Sequence, residues 1–220
     1  MQKDLNWREF LITRLIKFSG YSAVIFVGMI FFFLLKEGLP TLTEVPLGDL
    51  FATRWYPIES YYGILPLISG SILVTVGAGI IAVPFGIGVA IYLAEIAPRW
   101  LRNTLKPLVE LLGGLPSVVL GFLGILILSP TLRVTLDLPT GLTALSGALL
   151  LGGIAIPTVV SISEDALDAV PKSYRDAALA LGATRWQTIW RVTLPAARSG
   201  VLTAVMLGVG RSIGETMTVM

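Results

Sequence analysis

An all-helical, polytopic transmembrane bundle is the fold class this sequence predicts, and three observations carry that reading. Of its 220 residues, 55% are hydrophobic and only 14% charged, against roughly 25% charged in an ordinary soluble domain. Five apolar stretches come close to, or exceed, the about 20 residues with which a helix crosses a hydrocarbon core. The basic residues concentrate in alternate connections between those stretches, as they do when cytoplasmic loops retain Lys and Arg. A chain so poor in charge cannot cover a water-facing surface, and in lipid a helix satisfies its own backbone.

Composition also excludes chemistry. There is no cysteine and no histidine, so disulfides, thiol catalysis, His-based triads and His- or Cys-ligated metals are ruled out. No paired carboxylates are read inside the spans, which argues against a membrane enzyme. The net charge of +2 gives no reason to expect a nucleic-acid partner.

The first element is an N-terminal arm, residues 1–17, mixing Lys3, Asp4, Arg8, Glu9, Arg14 and Lys17. The first span follows over 18–35; it is longer than a signal-peptide core and no small-residue cleavage site follows, so it is read as uncleaved. The second span covers 64–93 and contains Pro66 and Pro84, which predict a break or tilt. The third covers 105–128, with Gly113, Gly114 and Pro116 near its middle, and the fourth 142–162, with Pro157 inside. The fifth begins at Ala197 and reaches Met220. No strand alternation, internal repeat or soluble domain is apparent, so 18–220 reads as one membrane domain of five spans.

Arg99, Arg102 and Lys106 sit in the second-to-third connection, and Lys172, Arg175, Arg185, Arg191 and Arg198 in the fourth-to-fifth. The other connections hold only Lys36 and Arg54, and then Arg133. The N-terminus and both basic connections are therefore expected in the cytoplasm, with residues 38–62 outside.

The connection over 163–195 is too polar to cross a membrane and too regular for a linker. Pro171 suits a first helical turn. Tyr174, Ala177, Ala178 and Leu181 follow at helical spacing. Gly182 suits a left-handed C-cap. Thr184 and Gln187 form a capping box for a second short helix, Trp186, Ile189 and Trp190 give it an apolar side, and Pro195 ends it. Taken alone, these features describe an amphipathic hairpin on a membrane surface.

Asp176-Ala177-Ala178, then three residues, Gly182, nine residues and Val192-Thr193-Leu194-Pro195 resembles the EAA loop of bacterial ATP-binding-cassette importer permeases, with Asp for Glu and Val for Ile. The resemblance implies a type I permease fold and a coupling helix seated in a groove of a cytoplasmic ATPase. Tyr174, Arg175, Asp176, Ala177, Ala178, Gly182 and Ala183 are its implied coupling residues. Tyr174 is an anchor of the aromatic kind interfaces favour, and a charge at Ala178 is expected to press against the partner. The chain has no phosphate-binding G-x-x-x-x-G-K-[ST] loop, so it binds no cofactor itself on this reading, and ATP with magnesium belongs to the partner ATPase.

Further runs narrow the resemblance: Gly63-Ile64-Leu65-Pro66-Leu67-Ile68-Ser69-Gly70, Ile81-Ala82-Val83-Pro84-Phe85-Gly86-Ile87-Gly88, Ile91-Tyr92-Leu93-Ala94-Glu95, Leu115-Pro116-Ser117-Val118-Val119-Leu120-Gly121 and Gly210-Arg211-Ser212-Ile213-Gly214-Glu215-Thr216-Met217. These resemble phosphate importer permeases, the last run looking more like the PstC-type subunit than its PstA-type partner. The implied setting is the bacterial inner membrane. The implied partners are a PstA-like second permease subunit, cytoplasmic ATPase subunits, an extracytoplasmic phosphate-binding protein and membrane lipid. The family has six spans and five are read here, so the chain is expected to lack the sixth, as a fragment or a C-terminally truncated product.

Arg211 lies inside an apolar helix, where an arginine costs about 2.5–3.5 kcal/mol on insertion scales. At helical spacing Arg211 and Glu215 share a face with Ala204, Gly208 and Ser212, and Leu202, Met206, Val209, Ile213 and Met217 fall opposite. Small residues four apart mark helix contact, so the charged pair is expected to face the bundle. The alternative is an arginine that snorkels to the headgroups. Arg211 is the candidate phosphate contact, because a guanidinium binds phosphate bidentately. Glu215 is expected to hold Arg211 in place or to exchange with the anion. Ser117 offers a hydroxyl beside Pro116; a packing residue at a kink is its plainer reading. The competing functions are a permease for another oxyanion such as sulfate or molybdate, and a non-transporting scaffold whose basic loop binds anionic lipid.

Overall fold

The computed structural model describes residues 7–215. The chain divides into two compact units, residues 1–67 and 68–220. In the first, α1 (Trp7–Glu44) is a single helix of 38 residues that runs through Pro40. It is apolar enough to cross a membrane, and none of its most apolar 18-residue window is buried. Phe31, Phe32 and Phe33 all point outward, as lipid allows and water does not. Residues 7–17 of the expected arm are the first turns of this helix rather than a separate segment, and residues 1–6 lie outside the described residues.

After the short helix α2 (Leu47–Leu50), the strands β1 (Trp55–Tyr56) and β2 (Tyr61–Tyr62) pair antiparallel. The turn between them closes at Ser60 in the left-handed region, φ 63°. No strand was expected here; two residues per strand are too few to show a two-residue alternation.

In the second unit, α3 (Leu65–Ile91) continues through a π turn at Tyr92–Ile96 as one membrane-length helix. The break expected at Pro66 or Pro84 does not occur. Pro66 occupies the first turn, where its missing N–H has no helical partner in any case, and Pro84 is absorbed within α3.

The third span is where the structure departs most from the sequence reading. Residues 99–113 form a separate helix, α4 (Arg99–Gly113). The chain breaks at 114–116, where Pro116 has extended geometry, and the span itself is Ser117–Thr135. It comprises α5 (Ser117–Leu123), a π turn at Gly124–Leu128 and α6 (Ser129–Thr135). The charges of Arg99, Arg102, Lys106 and Glu110 make α4 amphipathic, which decides where the apolar span can start.

α7 (Ala144–Asp168) begins at a reciprocal capping box between Thr143 and Ser146. It runs past the expected end at Ile162, so residues 163–168 belong to the helix and not to the loop. It is the core of this unit, with 56% of its most apolar window buried. α11 (Arg198–Gly214) packs along it. The approach is close enough that a Cβ at Gly208 would sit 2.4 Å from Val159 Cγ2, which accounts for glycine on that face.

α8 (Lys172–Ala180), α9 (Arg185–Thr188), a π turn at Ile189–Thr193 and α10 (Leu194–Ala196) connect these two helices. The helix through Arg185–Ala196 ends one residue past Pro195, within a residue of its expected end, and the chain bends by 73° into α11. Among the described residues four helices are long and apolar enough to cross a membrane, or five if the bent pair counts as one span. The C-terminal end of the fifth expected span, residues 216–220 with Thr216 and Met217, lies outside the described residues.

Candidate functional site

Two groups of residues are candidates. The first is the loop between α7 and α11. Pro171 is the N-cap of α8. The helix ends in a Schellman motif: Gly182 N–H donates to the Leu179 carbonyl and Ala183 N–H to the Ala178 carbonyl, at 3.0 and 3.1 Å. Gly182 has φ +84°, the left-handed conformation expected of it. The Thr184–Gln187 capping box is present in both directions.

The outer face of α8 carries Tyr174, Asp176, Ala177 and, at its end, Leu181, all exposed. Ala178 does not belong to that face. It is buried within this chain, so a charge there would disrupt the hairpin itself before it met any partner. Ala183 is half-buried.

Arg175 also turns inward. Its Nε and Nη2 donate to Glu95 Oε1 at 2.9 and 2.7 Å. Nη2 also donates to the Leu167 carbonyl at 2.8 Å, and Nη1 to the Val170 carbonyl at 2.7 Å. Leu167 belongs to the last turn of α7, at the negative end of its dipole. One guanidinium thus joins α8 to the ends of α3 and α7.

A second set of charges ties α4 to α7. Arg102 pairs with Glu164 and Asp168. Lys106 pairs with Glu164 at 2.5 Å and with Asp165 at 2.7 Å. The Glu164 side chain is 1% exposed, a burial that would be prohibitive for an unpaired carboxylate. Burial works against the Lys106 ammonium, but the hydrogen bonds and attraction of Asp165 and Glu164 outweigh it and hold its pKa above the usual value. Sequence reasoning missed this cluster. Its signals were Arg102 and Lys106 four residues apart, and Glu164 and Asp168 at the same spacing on a helix end, with Asp165 beside Glu164.

The second candidate is Arg211. The faces expected of α11 are largely present: Ala204, Gly208 and Ser212 are buried and Leu202, Met206 and Ile213 are exposed, but Val209 is half-buried. Arg211 is half-buried. Its Nη1 donates to Thr158 Oγ1 on α7 at 3.1 Å, and its Nη2 to the carbonyl of Gly113, the last residue of α4, at 2.9 Å. The expected pair with Glu215 does not form among the described residues. α11 ends at Gly214, and Glu215 is its C-cap, after which the chain turns out of the helix (ψ 108°). Ser117 is the first residue of α5 and is half-buried.

Several helices of membrane length, with α7 at the core of the second unit, an inward arginine and a capped polar hairpin, define a multi-pass helical membrane protein. The chain belongs to the family described as "Binding-protein-dependent transport system inner membrane component", which it matches over residues 82–220. It is 46% identical over 176 residues to "Probable ABC transporter permease protein YqgH" of Bacillus subtilis (strain 168), covering 79% of this chain and 57% of that protein. It is 37% identical over 188 residues to "Phosphate transport system permease protein PstC" of Xylella fastidiosa (strain 9a5c), covering 77% and 58%. With the PstC protein of Mesorhizobium japonicum it shares 31% over 241 residues, covering 99% and 74%. The chain thus spans less than two thirds of the length of the first two relatives. The fold is similar to a permease fold solved in inward-facing conformations of the MetNI methionine ABC transporter, with a TM-score of 0.53 at 23% identity over 69% of this chain and 68% of that one.

Proposed function

We propose that this chain is the membrane permease subunit of an ATP-driven importer that moves inorganic phosphate into the cytoplasm. The observation that carries the proposal is how Arg211 is held. Both of its partners among the described residues, the Thr158 hydroxyl and the Gly113 carbonyl, are neutral. The guanidinium is oriented inside the bundle while its charge stays available to an anion, and its planar fork matches a phosphate oxygen pair. Several relatives named as phosphate transport permeases support the cargo.

In this reading the chain is not an enzyme. Hydrolysis of ATP with magnesium belongs to cytoplasmic ATPase subunits that grip the exposed face of α8, with Tyr174 as anchor. Because Arg175 ties α8 to the ends of α3 and α7, a push on that face would be passed directly to the helix that carries Thr158. The other partners are a second, PstA-like permease subunit and an extracytoplasmic phosphate-binding protein. The N-terminus and the α8 hairpin lie in the cytoplasm and residues 38–62 outside, in accord with the segregation of basic residues. Glu215 and Ser117 line the path in a lesser role, since Thr158 and Gly113 orient the arginine.

Another oxyanion such as sulfate or molybdate is the alternative cargo, because a guanidinium can also bind these anions. Uptake of labelled phosphate by the whole transporter, with sulfate or molybdate at equal concentration as competitor, decides between them. The phosphate reading requires that neither competitor reduces uptake. Strong inhibition by either one would overturn selectivity for phosphate, and uptake of that labelled anion would then identify it as cargo. Labelling of a cysteine placed at exposed Leu181 by an impermeant reagent in intact cells would overturn the orientation.

A further inference from the structure

An apolar groove opens at the corner where the helix through Arg185–Ala196 bends into α11. Pro84, Ile87 and Ile91 of α3 form one wall, and Trp186 and Trp190 form another, their rings in an edge contact at 5.7 Å. Both tryptophans remain about half exposed, at 60% and 48%, and no acidic side chain lines the groove. Its charged lining residue is Arg198, exposed at the first turn of α11. Arg191 is also exposed, on the adjoining helix one residue from Trp190.

Exposed tryptophans beside a membrane-length helix are characteristic of the headgroup level, where an indole has one wet and one apolar side. An apolar slot that ends in a cation at that level matches one molecule in both parts: an acyl chain for the slot and a phosphate for the arginine. We propose that this corner is a binding site for an anionic phospholipid, with its phosphodiester on Arg198 and one acyl chain between the tryptophans and α3. The site rests on the membrane reading of the chain and is independent of phosphate as cargo. A protein segment is the competing occupant, but Arg198, which has no acidic partner among the described residues lining the groove, favours an anionic headgroup over an apolar helix face.

The test uses the intact transporter in nanodiscs, with acyl-brominated phosphatidylglycerol or phosphatidylcholine as quencher. The emission of Trp186 and Trp190 is isolated by subtracting a Trp186→Phe/Trp190→Phe variant. The proposal predicts about fivefold preferential quenching by phosphatidylglycerol, the equivalent of about 1 kcal/mol for one interfacial cation. Arg198→Gln should reduce the preference to near one, and Arg198→Lys should retain it. Equal quenching by both lipids in the unaltered protein would overturn the proposal in favour of unselective boundary lipid. Protection from both would overturn it in favour of a protein segment. Because no phosphate uptake is read, failure here leaves the transport reading untouched, and the converse also holds.

Discussion

Arg175 and Arg211 are both half-buried arginines in a chain short of charge, and they are held in opposite ways. Arg175 meets a carboxylate, Glu95, and two backbone carbonyls at a helix end. Arg211 meets a hydroxyl and a carbonyl and no carboxylate among the described residues. The half-buried cations Arg102 and Lys106 follow the pattern of Arg175, each paired with two acidic side chains. A compensated cation joins helices and contributes stability. An uncompensated one carries the cost of its burial without an ionic partner, which is sensible where a transient anion repays it. The contrast separates the joints of this protein from its candidate path.

That contrast can be broken at several points. The largest expected effect on stability is at Arg102. Arg102→Met leaves buried Glu164 with Lys106 alone and takes away the charged hydrogen bonds of Arg102 to Glu164 and Asp168, each about 1.5–3 kcal/mol. Thermal unfolding of the purified protein in detergent should show the loss; an unchanged midpoint would mean that Lys106 suffices. Arg175→Gln comes next, at about 1.5–3 kcal/mol for hydrogen bonds to a charged group. The Glu95→Gln/Arg175→Gln pair should lose less than the sum of the two single changes, because each single change leaves a lone charge and the double change leaves none. Strict additivity would argue that the clasp is not a coupled pair. Gly182→Ala should cost about 1–2 kcal/mol, the strain of a side chain in a left-handed cap, and an unchanged unfolding midpoint would show that the cap relaxes. Thr158→Val removes one neutral hydrogen bond, about 1 kcal/mol, and should impair phosphate uptake more than Glu215→Gln does. The reverse order would restore Glu215 as the residue that orients Arg211.

How much of this was legible in the sequence depended on the range of the interaction. The hairpin was readable residue by residue because its chemistry is local: Pro171, Gly182 and the Thr184–Gln187 box each act within a turn or two. The inward face of α11 was readable from helical spacing. The separation of α4 from the third span was less so, because Gly113-Gly114-Leu115-Pro116 permits either a kink or a full stop. Only the partners of Arg102 and Lys106 on α7 settle it. Those partners stand 58–66 residues away in the chain, and Glu95 stands 80 from Arg175, distances at which one sequence gives no pairing. The π turns at Tyr92–Ile96, Gly124–Leu128 and Ile189–Thr193 also left no composition signal.

The central claim is that Arg211 offers its charge to the transported anion, and labelled phosphate uptake by the complete transporter tests it most directly. Arg211→Gln at normal membrane abundance should abolish uptake, and Arg211→Lys should restore little, since an ammonium lacks the planar fork. Arg175→Gln, by contrast, should lose uptake only in proportion to lost stable protein and weakened coupling. Wild-type uptake by Arg211→Gln at normal abundance would contradict the account and leave Arg211 as one more joint between α11, α7 and the end of α4.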